Sequence, residues 1–250
     1  MAKFGSADEL KNAEFVEVDL RGARFVESNL AGVVMRGVEL READLDAPWL
    51  SNGASFMRVN GVDVIPLVEA ELDRRFPGRA GRRAGDPDGL RASWAAAERT
   101  WAATLARAAA MPAGTVDVQV DGEWSLAQTL RHLLVATDVW LRRAILQIDR
   151  PFHPLGLPAP DADAVDPSVV VTDPPSYADV LEARAGRVAM VRDYLGTVTP
   201  DELTTPRRHP YDPEVGETTL SCLHVILEEE WEHHRYAARD LDAIEATARE

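Results

Sequence analysis

Between Leu220 and Leu241, the residues Leu220, Leu223, Leu227, Glu230, His234, Ala237 and Leu241 recur at alternating three- and four-residue steps, the spacing of one inward-facing helical stripe. A carboxylate and an imidazole therefore fall on an otherwise apolar seam. A bare carboxylate in such a place is costly to desolvate and would be replaced by leucine unless it were paired or bound to a metal. Metal ligation accounts for both residues at once. Side chains four apart leave one helix face with Cβ atoms roughly 5–6 Å from each other, close enough to share one ion. The neighbouring pair Glu229 and His233 has the same spacing one position round the helix, beside Tyr236 and Asp240, and reads as the less buried choice. His224 and Glu228 share the spacing and point further out.

A third ligand must come from another helix, and His132 is the candidate because its surroundings, Leu130-Arg-His-Leu-Leu-Val-Ala136, are mostly apolar. Small neighbours on its face, Thr129 and Ala136 with Val139, leave room for an ion and a substrate. Taken alone, His132 reads first as a core histidine bonded to a backbone carbonyl, and the pairing with the helix of Glu230 and His234 is what makes it a ligand candidate. The expected metal set is thus His132, Glu230 and His234. Two histidines and one carboxylate leave coordination positions open, as a catalytic site requires. Around this set, Asp138 and Glu229 are candidate partners for ligating imidazoles, and Trp140 and Trp231 candidate pocket walls. His153 and His209 lie in irregular segments from which either could reach the ion. The single cysteine, Cys222, reads as a small buried residue.

Four long segments of helical periodicity must position these residues. They run from about Pro87 to Ala110, from a Ser125-Leu-Ala-Gln128 capping box to about Gln147, from Ser176 to about Leu195, and from about Thr218 to Glu245. This predicts a four-helix bundle over residues 86–250. The connection from Arg150 to Pro175 is long and rich in proline, suited to a crossover or a lid, and Pro206 to Gly216 is similarly irregular. Upstream, residues 63–85 predict a short helix stopped by Pro77-Gly78, followed by a basic, glycine-containing linker.

The first 62 residues follow another rule. Leu10, Phe15, Leu20, Phe25, Leu30, Met35, Leu40, Leu45 and Leu50 recur every five residues, a period of neither strand nor helix. Small or β-branched residues such as Ala13, Val18, Ala23 and Ala43 precede most of them by two. A chain that turns inward this often buries both positions only by coiling, with each five-residue side stacked on the next coil. Phe15, Leu20, Phe25 and Leu30 are the expected interior.

Two resemblances follow from these residues. Ala13-Glu-Phe-Val-Glu17, Ala23-Arg-Phe-Val-Glu27 and Ala43-Asp-Leu-Asp-Ala47 resemble the pentapeptide-repeat family across about residues 4–60. This implies a short right-handed, four-sided β-helix of little more than two coils. The Leu-Arg-His-Leu-Leu stretch with His224-Val-Ile-Leu-Glu-Glu-Glu-Trp-Glu-His-His-Arg235 resembles the DinB/YfiT superfamily of four-helix metalloproteins across about residues 86–246. Many members carry two histidines four apart followed by Arg-Gly-Gln. Here the first falls on Glu230, and Tyr236-Ala237 stand in place of Gly-Gln. His-Glu-His sets occur among the thiol-dependent members, such as mycothiol-dependent maleylpyruvate isomerases.

That resemblance implies a divalent ion, zinc first and nickel or iron as alternatives, with mycothiol as cosubstrate. The implied activity is thiol S-transfer onto an electrophile, in detoxification or stress response. The scarcity of lysine, Lys3 and Lys11 alone, and the abundance of alanine mark a GC-rich coding sequence, which favours mycothiol as the thiol. The alternative is a non-catalytic scaffold with a structural metal and the solenoid as partner surface. A homodimer is expected in either case.

Composition narrows the classes further. A net charge of -15 disfavours nucleic acid and anionic lipid as partners. The apolar runs are too short to span a membrane, and the start has no secretory signature, so the expected location is the cytoplasm, where a lone cysteine is also at ease.

Overall fold

Asp86 and Pro87 start the first bundle helix: the Asp86 side chain accepts a hydrogen bond from the Gly89 amide, and proline occupies the first turn, where its missing N–H costs nothing. The computed structural model describes residues 3–5, 8, 10–51, 55–159, 167–171, 173–212 and 214–249. Positions 160–166 and 172 of the long connection, and 213 of the shorter one, lie outside the described residues. The chain divides into two compact units at Asp46 and Ala47.

The second unit opens with a small hairpin, β1 (Arg58–Val59) and β2 (Val62–Asp63), followed by α1 (Ile65–Arg75). Four long helices follow: α2 (Pro87–Ala110), α3 (Leu126–Thr137), α4 (Tyr177–Thr197) and α6 (Thr219–Thr247). The short α5 (Pro200–Leu203) and the hairpin β3 (Pro206–Arg208) with β4 (Gly216–Thr218) sit between the last two. The expected capping box at Ser125 and Gln128 is formed, and Thr218 with Ser221 makes a second one at the start of α6.

The helices pack in the cycle α2, α6, α3, α4 and back to α2, which places α4 and α6 across the diagonal. Leu133, Leu134, Val139, Leu141, Cys222, Leu223, Ile226 and Leu227 are among the buried residues at its centre. Beyond Thr137 the helix widens into π-helical turns over Asp138–Ile145, a geometry often found at functional sites. No helix among the described residues is long and apolar enough to cross a membrane.

The stretch expected as a basic linker is instead docked on the bundle. Arg79–Arg83 forms a 3-10 helix in which Arg79 and Arg82 are buried. Arg79 meets Asp73 at 2.8 Å and Glu69 and Glu232 at 3.2 Å, while Arg82 meets Glu228 at 3.1 Å and also Glu69. Gly78 makes the approach possible: its φ is +103°, and a Cβ there would lie 2.7 Å from that of Ala96. Charge matching with α1 and α6, invisible in a composition that reads as linker, holds this segment down.

The first unit keeps the five-residue rhythm but not the filled interior. Positive φ recurs at Asn12, Glu17, Gly22, Glu27, Gly32, Gly37 and Glu42. Identical turns close Leu10 to Ala13, Leu20 to Ala23, Leu30 to Val33 and Leu40 to Ala43. The chain thus turns every five residues as the repeat demands. Among the described residues of this unit, however, no strand and no β-helix forms, and Phe15, Leu20, Phe25 and Leu30 are all exposed, Phe25 by 62%. The physical reason is length: a solenoid buries a coil only between neighbours, and this repeat has too few to cover either end.

Candidate metal centre

α6 sends four ionisable residues into the bundle in two adjacent rows. Successive residues on a helix point about 100° apart, so the rows must face different neighbours. Glu229 and His233 turn toward α3, where they meet His132. Ligand atoms of these three residues all lie within 4.8 Å of one another. His132 Nε2 is 3.5 Å from Glu229 Oε2, and His233 Nδ1 is 3.3 Å from the same oxygen. The two imidazoles stack with centroids 4.8 Å apart, and Trp124 lies against His132 at 4.7 Å.

Glu230 and His234, expected as ligands, are not in this cluster. Glu230 points across the diagonal to α4 and pairs with Arg184, both side chains buried. His234 points to α2: its Nε2 is 2.8 Å from Thr104 Oγ1, and the rings of Trp101, Phe76 and Trp231 surround it at 5.3, 5.7 and 6.3 Å. Of the expected set, only His132 stands in the cluster, and the carboxylate and second histidine come from the neighbouring row. The stripe Leu220 to Leu241 does face the core, where Glu230 is paired with Arg184 and His234 meets Thr104 through Nε2 within a cage of aromatic rings.

Electrostatics follow this division. Burial pushes the Glu230 carboxyl up, against the opposing pull of Arg184. Burial also tends to raise Glu229, but the hydrogen bond with His132 and the neighbouring imidazoles outweigh it and hold the carboxyl below its ordinary value. Burial drives His233 down to about 4, so that it is a neutral imidazole at pH 7.

The hydrogen bonds also assign the ring nitrogens. His233 Nδ1 lies 3.0 Å from the Glu229 carbonyl oxygen, and His132 Nδ1 lies 3.2 Å from the Leu157 carbonyl oxygen. A carbonyl only accepts, so each Nδ1 carries a proton and donates; once the Nε2 proton that His132 turns toward Glu229 is given up, both Nε2 atoms can ligate. Two such nitrogens and a deprotonated carboxylate suit a divalent ion of the zinc type. His132 therefore meets the carbonyl-bonded reading of the sequence and also stands in the His–Glu–His cluster.

The remaining candidates are elsewhere. Trp140 packs against His209 and Tyr211, and Trp231 against His234. His209 Nδ1 accepts from the Tyr211 and Asp212 amides, and His153 Nδ1 from the Leu155 amide. His224 Nε2 contacts the Ala84 carbonyl, and Glu228 pairs with Arg82. Asp138 is fully buried between Arg187 and Arg142. Cys222 is buried, and burial pushes its thiol up to about 12. The aromatic wall that the sequence reading missed is Trp124. It stands just before the Ser125 cap, eight residues and about two turns ahead of His132, a spacing that could have marked it.

The model of the DinB superfamily matches residues 96–237, and that of pentapeptide repeats matches residues 13–47 in eight copies. No curated protein and no solved structure matches the chain. The superfamily match spans more than half of the 250 residues and takes in all three clustered side chains, and on that ground the chain belongs to the DinB superfamily.

Proposed function

We propose that the bundle binds one divalent metal ion, zinc first, through His132 Nε2, Glu229 and His233 Nε2, and uses it in thiol S-transfer. The observation that carries the first half is the paired tautomer assignment: two imidazoles with Nδ1–H given to carbonyls beside a carboxylate held ionised. Accessibility favours this row over its neighbour. The side chains of His132, Glu229 and His233 are 13–14% exposed, whereas that of Glu230 is 1% exposed and sealed by Arg184.

When bound, such an ion supplies Lewis acidity that favours the thiolate of a low-molecular-weight thiol, mycothiol by family resemblance. The chain's own part is to orient the two imidazoles, to keep Glu229 charged, and to offer the Trp124 ring as an apolar wall beside His132. In S-transfer the sulfur forms its bond to an electrophilic carbon, and the thiol proton ends on the electrophile or its leaving group.

Metal analysis of the purified full chain tests the site, with one equivalent expected. Cobalt loading followed by mycothiol or glutathione tests the chemistry: a thiolate-to-cobalt charge-transfer band supports an open catalytic position. A stoichiometric metal with no such band would favour the structural-metal reading.

A homodimer is part of the proposal. The repeat leaves Leu10, Phe15, Leu20, Phe25, Leu30, Met35, Leu40 and Leu45 exposed, and self-association is one way to cover such apolar side chains. Light scattering at micromolar concentration should give twice the chain mass.

A further inference from the structure

The connection after the π-helical turns does not simply lead away from the metal centre. From Pro151 to Leu157 it runs back along α3, and alternate residues hold it there. The Pro151 carbonyl accepts from Arg142 Nη1. The His153 amide donates to Asp138 Oδ2 at 2.7 Å, and Asp138 is itself held by Arg187 Nε at 2.6 Å. The Leu155 carbonyl accepts from Arg131 Nε at 2.9 Å, and the Leu157 amide donates to the Arg131 carbonyl at 3.1 Å. The last partner in the series is the Leu157 carbonyl, which accepts from His132 Nδ1.

Resting on the metal-centre reading above, we propose that this strap is a positioning element of the centre: it fixes the tautomer and ring angle of His132, and Gly156 is the residue that lets it lie close enough to do so. Gly156 is buried where the strap crosses α3. A Cβ at that position would sit 2.8 Å from Val135 Cγ2 and 3.1 Å from the His153 carbonyl oxygen. Val135 is in the buried core and His153 is tied to Asp138, so the strap rather than the helix gives way. Since Leu157 is the next residue, such a shift carries its carbonyl away from His132. The imidazole then loses the acceptor that holds its proton on Nδ1. Hydrogen-bond partners of ligating imidazoles are typically worth 10–100-fold in metal affinity.

Coupling of this kind is reciprocal, so binding an ion must also stabilise the strap. Neither Gly156 nor Leu157 touches the ion, and both are therefore positioning residues.

The experiment measures zinc affinity of the full chain by competition with a chromophoric chelator for wild type, Gly156→Ala, Val135→Ala and the double variant. Hydrogen exchange of the peptide covering 151–157 is followed with and without zinc. Gly156→Ala should bind zinc about tenfold or more weakly and lose the zinc-induced protection of the strap. Val135→Ala alone should keep both. The double variant, in which the closest obstructing methyl is gone, should recover most of the affinity, a rescue that general destabilisation would not give. Unchanged affinity in Gly156→Ala, or a loss that Val135→Ala fails to restore, overturns the proposal while leaving the centre intact. A wild-type chain that takes up no zinc overturns the centre itself, and this inference with it.

Discussion

The separation of two adjacent rows on α6 makes Glu230 the most discriminating residue to perturb. Its carboxylate and Arg184 are both buried, with side chains 1% and 6% exposed, so neither charge has water to fall back on. Removing one partner of such a pair typically costs about 3–5 kcal/mol, because the other charge is left without compensation. For a domain of about 200 residues, each kcal/mol moves the melting temperature by about 2–4 °C, which places Glu230→Ala about 6–20 °C below wild type. Replacing both residues with apolar side chains of similar volume, Glu230→Leu with Arg184→Met, removes the uncompensated charge and should return stability to wild type or about 1–4 kcal/mol above it. Circular dichroism melting of the three proteins reads these differences, and metal analysis of the same samples completes the test. The double variant should keep its full equivalent of metal. Loss of the metal in a folded double variant would make Glu230 a ligand after all and refute the assignment of the two rows.

Other consequences follow from the same geometry. His233→Ala should abolish stoichiometric metal binding, whereas His234→Ala should keep it. The His234 variant should instead lose stability by about 2–4 kcal/mol in chemical denaturation, because its ring fills a cage of Phe76, Trp101 and Trp231. With its thiol pushed up to about 12, Cys222 carries only about one part in ten thousand of thiolate at pH 8, so a chromogenic disulfide should label it only after denaturation; rapid labelling of native protein at that pH would contradict its burial. Phe25→Asp should leave the unfolding free energy of the bundle within about 0.5 kcal/mol of wild type, as expected for an exposed position, while lowering the mass seen by light scattering to that of one chain.

Much of this arrangement is legible in the sequence. The helix signals were local ones: Asp86-Pro87 and the Ser125 and Thr218 caps set three starts, and α2 ends at Ala110 as its periodicity predicts. The docked 79–83 segment could not be read that way, because what holds Arg79 and Arg82 are carboxylates on α1 and on α6, the latter some 150 positions away. The repeat shows the converse. Its five-residue turning is written in every copy, but burial of Phe15 or Phe25 depends on neighbouring coils, and a period carries no information on whether enough of them exist.

The choice between Glu229-His233 and Glu230-His234 shows why spacing alone falls short. Both pairs are four apart on one helix, and the apolar stripe correctly identified the second pair as the more buried. Depth alone does not say which pair meets His132. A residue can be buried because a distant arginine neutralises it or because aromatic rings enclose it, and Arg184, Trp101 and Phe76 are remote in sequence from α6. An ion with an open coordination position needs side chains near the edge of the core, within reach of solvent and of a second histidine. His132 sits beside α6 on the Glu229 face, and the strap that fixes its ring brings a carbonyl from 25 residues further along the chain. Which row of α6 joins His132 is therefore decided by where α3 packs against α6, a tertiary fact, while the residue types that make the cluster possible are local.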